Sequence, residues 1–192
     1  MRYILASKSP RRRELLSELV ESFEIITAEV DETLPDSIHP RDGVEMLAIR
    51  KGEVIAKENA DAVVISSDTL VEIGGVALGK PKDKADAFSM LKLLSGKAHN
   101  VHTGVAVHYN GKCFSGVAST AVYFREMTDE EINAYIDSGD PMDKAGSYGI
   151  QGKAALFASG IEGDYFNVMG LPLHLVGQML REFNVDLFSE VE

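Results

Sequence analysis

Short apolar runs rich in β-branched residues alternate along this chain with longer stretches in which apolar residues recur at helical spacing, and this alternation restricts the fold to an α/β architecture. Strands are expected at residues 3–6, 24–27, 62–66, 70–73, 101–108 and 115–123, and helices at 10–19, 42–58, 83–94, 129–136 and 171–183. In the helix at 42–58 the apolar positions are Val44, Leu47, Ala48, Val54 and Ile55. Asp83 and Asp129 stand where helix N-caps belong, while Pro10 and Pro172 stand near first helical positions. With no repeat, low-complexity tract or Pro/Ser-rich linker, one domain over residues 1–192 is expected, and two lobes around one cleft are compatible with it.

Charge narrows the partners. Lys and Arg number 19 against 30 Asp and Glu, for a formal net charge of −11, so a nucleic-acid polymer or an anionic membrane would be repelled overall. Cys113 is the one cysteine, which excludes an internal disulfide and points to a reducing, cytoplasmic compartment. The opening "MRYILASKSPRRR" holds an apolar run of only residues 3–6, too short for a signal peptide or a spanning helix, so no export is expected.

Against this acidic background, "LASKSPRRRELL" (5–16) concentrates positive charge. Ser9 suits the N-cap and Pro10 the first helical position, which places Arg11, Arg12 and Arg13 in the first helical turn. A helix N-terminus already carries about half a positive charge, so each arginine there costs about 0.3–1 kcal/mol. One reading is a solvated basic turn partly offset by Glu14. The other is an anion site, in which free amides, guanidinium forks and the hydroxyls of Ser7 and Ser9 meet phosphate oxygens.

In "AVVISSDTLVEI", Asp68 directly follows a buried-looking strand, and ligands of α/β sheets gather beyond the carboxyl ends of strands. It is either a functional carboxylate or a turn aspartate capping local amides. Glu32, in "EVDET", supplies a partner, because magnesium needs only one or two carboxylates when the substrate brings phosphates. The five histidines show no metal-ligand spacing. "GGVALGKP" (74–81) nearly matches the P-loop pattern, yet Pro81 offers neither a hydroxyl for magnesium nor an N–H for phosphate. A hairpin turning at Gly74-Gly75 is the better account, and Lys80 at its end could still reach a phosphate. Lys51, on the helix face near Leu47, could do the same or be solvated. In "DKAGSYGIQGKA" (143–154), closely spaced glycines permit sharp turns or close approach to a ligand, and Gln151 could read the edge of a pyrimidine base or lie exposed. Together these residues describe a site for one small polyanion bridged by a divalent metal, and binding a triphosphate would relieve the repulsion among the arginines.

"LASKSPRR" (5–12), "VDE" (30–32), "SDT" (67–69), "GKP" (79–81), "LSG" (94–96), "DKAGSYGIQG" (143–152) and "NVMGLP" (167–172) resemble the successive motifs of the Maf proteins, nearly end to end. The resemblance implies a nucleoside triphosphate pyrophosphatase related in fold to the inosine triphosphate pyrophosphatases: an elongated mixed sheet with flanking helices and a central cleft, often dimeric. The "KAGSYGIQG" version resembles the branch acting on dTTP and UTP rather than the branch acting on 7-methyl-GTP. By position, Asp68 matches the family's catalytic proton acceptor, and Arg11, Thr69 and Gln151 match its specificity positions. Ser7, Arg12, Glu32, Lys51 and Lys80 match the remaining polar residues of the cleft. Two departures are visible: Ser67 stands where Ala is more frequent, and Gly52 where Ala is usual, the glycine being expected to loosen its helix by about 1 kcal/mol.

The mechanism implied has Glu32 and Asp68 holding magnesium or manganese with the triphosphate, and Asp68 activating water against the α-phosphorus. Arg12, Lys51 and Lys80 then stabilise the developing charge, while Gln151, Arg11 and Thr69 select the base, modified pyrimidine nucleotides included. The house-cleaning role that follows is removal of such nucleotides from the pool. The family's association with septum formation keeps a second reading open, a nucleotide-binding regulator of cell division without catalysis.

Overall fold

A computed structural model describes residues 1–35 and 37–188, so the expected domain span of 1–192 reaches past the described residues. From the N-terminus, β1 (Tyr3–Leu5), α1 (Pro10–Ser17) and β2 (Glu24–Ile25) precede the long α2 (Pro40–Glu58). β3 (Val63–Ile73) then turns through Gly74 and Gly75, both at positive φ, into β4 (Val76–Leu78). α3 (Lys84–Leu94), β5 (Ala98–Tyr109), β6 (Lys112–Phe124) and α4 (Asp129–Asp137) follow. After a run of short 3-10 turns come β7 (Ala158–Glu162), α5 (Tyr165–Met169) and α6 (Leu173–Glu182).

The strands make one mixed sheet in the order β2-β1-β3-β5-β6-β7, with β4 also paired to β3. β1 runs parallel to β2 and to β3, and the other pairings are antiparallel. Along one edge of β3, β1 covers residues 63–65 and β4 covers residues 71–73. Among the described residues, 66–70 between them pair as strand only with β5, on the other edge. The candidate site lies in that gap.

Packing explains why β3 is central. Val63, Val64 and Ile65 are fully buried, and each such side chain removed from water contributes about 1.5–3 kcal/mol. On one face, Ile65 joins the main core with Leu16 of α1, Leu91 and Leu94 of α3, Ile132 of α4 and Leu180 of α6. On the other, Val64 packs with Ile4, Ala6 and Ala62 beneath Ile55 of α2. Two glycines let α2 press onto this face. A Cβ at Gly104 of β5 would stand 2.3 Å from Val44 O, and one at Gly52 would stand 2.5 Å from Ser66 Oγ and 2.6 Å from His108 Nε2. Gly52 is therefore a close-approach residue, which the expectation of a loosened helix did not include.

Several expected elements shift. The strands anticipated at 62–66 and 70–73 are one strand, so Asp68 sits inside β3, opposite Gly104 of β5, rather than beyond a strand's carboxyl end. The run Ser67-Asp68-Thr69 reads as a turn because it is polar, but its side chains bond to Gly170 O, Lys51 and Thr103, partners distant in the chain. Asp129 is the first residue of α4, and Thr128 is its cap, closing a capping box with Glu131. Pro172 occupies the N-cap of α6 rather than its first turn. β7 and α5 were not anticipated, being five residues each with too few positions to show a period. The expected strands at 101–108 and 115–123 extend into a long hairpin closed by Asn110 and Gly111, both at positive φ.

Candidate active site

α1 starts as its sequence suggests: Ser9 is the N-cap, accepting from Arg12 N at 3.5 Å, and Pro10 opens the first turn. The three arginines then diverge. Arg12 turns into the gap beside β3, where Nε donates to Gly170 O at 2.9 Å and Nη1 donates to Ser67 O at 2.8 Å and to Ser7 Oγ at 3.3 Å. Its Nη2 donates to Thr69 Oγ1 at 3.0 Å. A guanidinium has five N–H groups, so these bonds leave at most one for a ligand. Ser67, the residue that departs from the family pattern, donates its hydroxyl to the same Gly170 O at 3.1 Å. Burial pushes the Arg12 guanidinium below its ordinary value and Arg11 adds to that, while Asp68 acts in the opposite sense.

Arg11 faces another set of charges. Burial pushes the Asp140 and Asp143 carboxyls up, but hydrogen bonds from Tyr135 to Asp140 and from Lys144 to both, with Arg11 as a weaker influence, hold each below the usual range. Arg13 is exposed. The charge repulsion expected in this turn is thus reduced inside the protein, by carbonyls at Arg12 and carboxylates near Arg11.

At the centre of the gap, Lys51 of α2 meets two carboxylates. Its Nζ lies 2.6 Å from Asp68 Oδ1 and 2.7 Å from Glu32 Oε1. Lys51 and Asp68 are about one-fifth exposed, and Glu32 is mostly exposed. Burial alone would lower the ammonium, yet Asp68 and then Glu32 outweigh it and raise Lys51 above its ordinary value.

A cavity of about 750 Å³ surrounds these groups. Ser7, Arg11, Arg12 and Thr69 line it together with Glu32, Lys51, Asp68 and Lys80, which brings together all the expected site residues except Gln151. Gln151 is exposed, three residues beyond Tyr148, which does line the cavity. Sequence reasoning missed Asp143, Tyr148 and the carbonyl of Gly170. Tyr148 is braced by His99, whose Nε2 is 2.7 Å from the phenol oxygen, and burial pushes the His99 imidazole down to about 4.

Among the described residues no three His, Cys, Asp or Glu side chains gather to hold a metal. Asp68 and Glu32 nevertheless present hard carboxylate oxygens on either side of Lys51. Two carboxylates completed by substrate phosphates fit a hard divalent cation such as magnesium. Among the described residues, no helix is long and apolar enough to cross a membrane.

Fold and site together define an α/β protein with a cleft lined by basic and acidic side chains. A solved HAM1 protein from Coxiella burnetii has the same overall fold, with a TM-score of 0.53 and 17% sequence identity, covering 95% of this chain and 99% of that one. Residues 2–183 match the family described as Maf-like protein, and the chain belongs to that family. It is 48% identical over 184 residues to a dTTP/UTP pyrophosphatase of Bacillus anthracis, covering 96% of each chain. A dTTP/UTP pyrophosphatase of Bacillus cereus is likewise 48% identical over 96% of each chain.

Proposed function

We propose that this chain is a nucleoside triphosphate pyrophosphatase that hydrolyses dTTP and UTP, and modified pyrimidine nucleotides, to the monophosphate and pyrophosphate. It works as one Maf-like domain with two lobes around the cleft, in a reducing cytoplasm. The observation that carries this reading is the convergence of Asp68 and Glu32 on Lys51 in the cavity, in a chain 48% identical to proteins so named.

Asp68 is the proton acceptor. Its Oδ1 is fixed by Lys51, and no hydrogen bond among the described residues engages Oδ2, which is the oxygen for water. That water attacks the α-phosphorus, Asp68 takes its proton, and pyrophosphate leaves. Lys51 and Lys80 stabilise the negative charge gathering on the phosphates and the leaving group. Arg12, with most of its donors spent on the protein, chiefly holds Ser7, Ser67, Thr69 and Gly170 in place and offers its last N–H to phosphate. Asp68 and Glu32 would hold a magnesium or manganese ion with the triphosphate. When bound, the ion supplies Lewis-acid polarisation of the phosphoryl oxygens. Arg11 and Thr69 select the base from within the cavity, and Gln151, which does not line it, contributes to the selection less directly.

Hydrolysis of dTTP and UTP in ¹⁸O-labelled water tests this reading. Label in the monophosphate, with unlabelled pyrophosphate, is the expected result. Nucleoside diphosphate and inorganic phosphate as products would overturn it.

A further inference from the structure

The second carboxylate of the cavity comes from a stretch without secondary structure of its own. Among the described residues, no helix or strand lies between β2, which ends at Ile25, and α2, which begins at Pro40, and Glu32 stands in the middle of that run. Its carboxylate is 2.7 Å from Lys51 Nζ and 61% exposed. An ion pair so open to water does little to fix the backbone that carries it.

Arg50 supplies the anchor that the ion pair does not. It precedes Lys51 on α2, and its Nη1 donates to Asp31 O at 3.0 Å and to Thr33 O at 2.8 Å, the two carbonyls that flank Glu32. One turn earlier on the same helix, Met46 Sδ accepts from Nη2 at 3.3 Å and steadies the guanidinium. Successive residues of a helix point about 100° apart. Lys51 therefore enters the cavity, while Arg50, which does not line it, grips the segment from outside. Thr33 N donates to Asp31 Oδ1 at 2.9 Å, which closes the same short turn around Glu32. Leu34 is held separately, close against Gly43, where a Cβ would stand 2.7 Å from Leu34 Cδ1. Loss of the Arg50 bonds thus frees Glu32 without releasing the rest of the segment from α2.

We propose that Arg50 is a positioning residue of this site: by clamping the carbonyls of Asp31 and Thr33 it holds the Glu32 carboxylate at the cavity beside Lys51 and Asp68, and thereby strengthens the hold on the divalent cation that accompanies the triphosphate. The assignment rests on the role given to Glu32 above. Because Arg50 acts through Glu32 alone, its loss costs the site nothing once the Glu32 carboxylate is gone.

The test is a double-mutant cycle on the wild type, Arg50→Gln, Glu32→Gln and the double variant. One readout is the magnesium concentration that gives half the maximal rate of pyrophosphate release from dTTP. The other is the Kd for manganese, followed by its electron paramagnetic resonance, in the complex with the non-hydrolysable α,β-imido analogue of dTTP. In Arg50→Gln both are expected to rise about tenfold, the usual effect of removing a bond that orients a metal ligand. In the Glu32→Gln background Arg50→Gln adds no further rise. A rise by the same factor in both backgrounds, or none in either, overturns the role of Arg50. If Arg50→Gln does not fold, Arg50→Lys, which keeps the charge and loses the fork, is judged by the same cycle. A wild type that releases no pyrophosphate from dTTP overturns the proposed function, and the role of Arg50 with it. An active wild type in which Glu32→Gln leaves both readouts unchanged overturns the role of Arg50 alone.

Discussion

Lys51 Nζ lies 2.6 Å from Asp68 Oδ1, joining α2 to the middle of β3, between the stretches that pair with β1 and with β4. The pair brings two carboxylates, Asp68 and Glu32, and one ammonium into a single cluster.

Lys51→Met removes the cation shared by the two carboxylates, and kcat is expected to fall by about 100-fold or more. The variant also changes the alkaline stability. Lys51 is raised above 10.5 in the folded chain, so its contribution is fully present below pH 10.5 and disappears as pH rises through the higher folded value. Melting temperatures above pH 10.5 are expected to fall more steeply for the wild type than for Lys51→Met.

Gly52→Ala sets two effects against each other. Alanine favours a helix by about 1 kcal/mol over glycine, while overpacking costs about 1–3 kcal/mol. The new Cβ would stand 2.5 Å from Ser66 Oγ, and Ser66 itself donates to Ala48 O at 2.7 Å, so neither side gives way easily. Urea unfolding is expected to show a net loss of about 1 kcal/mol, and activity falls as Lys51 is levered from Asp68. A variant more stable than the wild type would show that α2 can retreat from the sheet.

Arg12→Lys keeps the charge and loses the fork. One ammonium cannot serve Gly170 O, Ser67 O, Ser7 Oγ and Thr69 Oγ1 together. Stability is expected to drop by about 3 kcal/mol, read as a lower urea midpoint at constant m-value. If only KM for the nucleotide rises and the midpoint stays, Arg12 is a phosphate ligand rather than a clamp.

Acid should loosen the Tyr148 wall of the cavity. His99 is neutral in the fold down to about pH 4 but protonates near 6.5 when unfolded, so stability rises with pH between those values and is lost as pH falls. The wild type is expected to lose about 3 kcal/mol from this group between pH 6.5 and 4. In His99→Gln that part of the slope disappears from a series of denaturant titrations.

Much of this was legible in the sequence because it depended on local chemistry. Gly74-Gly75 makes the turn it suggests, Asp83 caps α3 through Asp86 N, and the eight polar residues read from separate motifs meet in one cavity. What was not legible depends on partners distant in the chain. Asp68 resembled a strand end because its pairing with Gly104 is 36 residues away, and Arg12 resembled a free phosphate fork because its acceptors at Ser67, Thr69 and Gly170 are 55 to 158 residues away. Gln151 matched a specificity position yet stands outside the cavity, and Gln151→Ala should change the dTTP to GTP ratio less than Thr69→Val does.

The most direct measurement is pyrophosphate release from dTTP and UTP with magnesium, for the wild type beside Asp68→Asn. The account predicts release with one monophosphate per pyrophosphate, and a rate lower by about 1,000-fold or more in the asparagine variant, which keeps the shape and loses the base. Turnover of the asparagine variant at the wild-type rate, or nucleotide binding by the wild type with no turnover, would contradict it, and the second result would return the chain to the regulator reading.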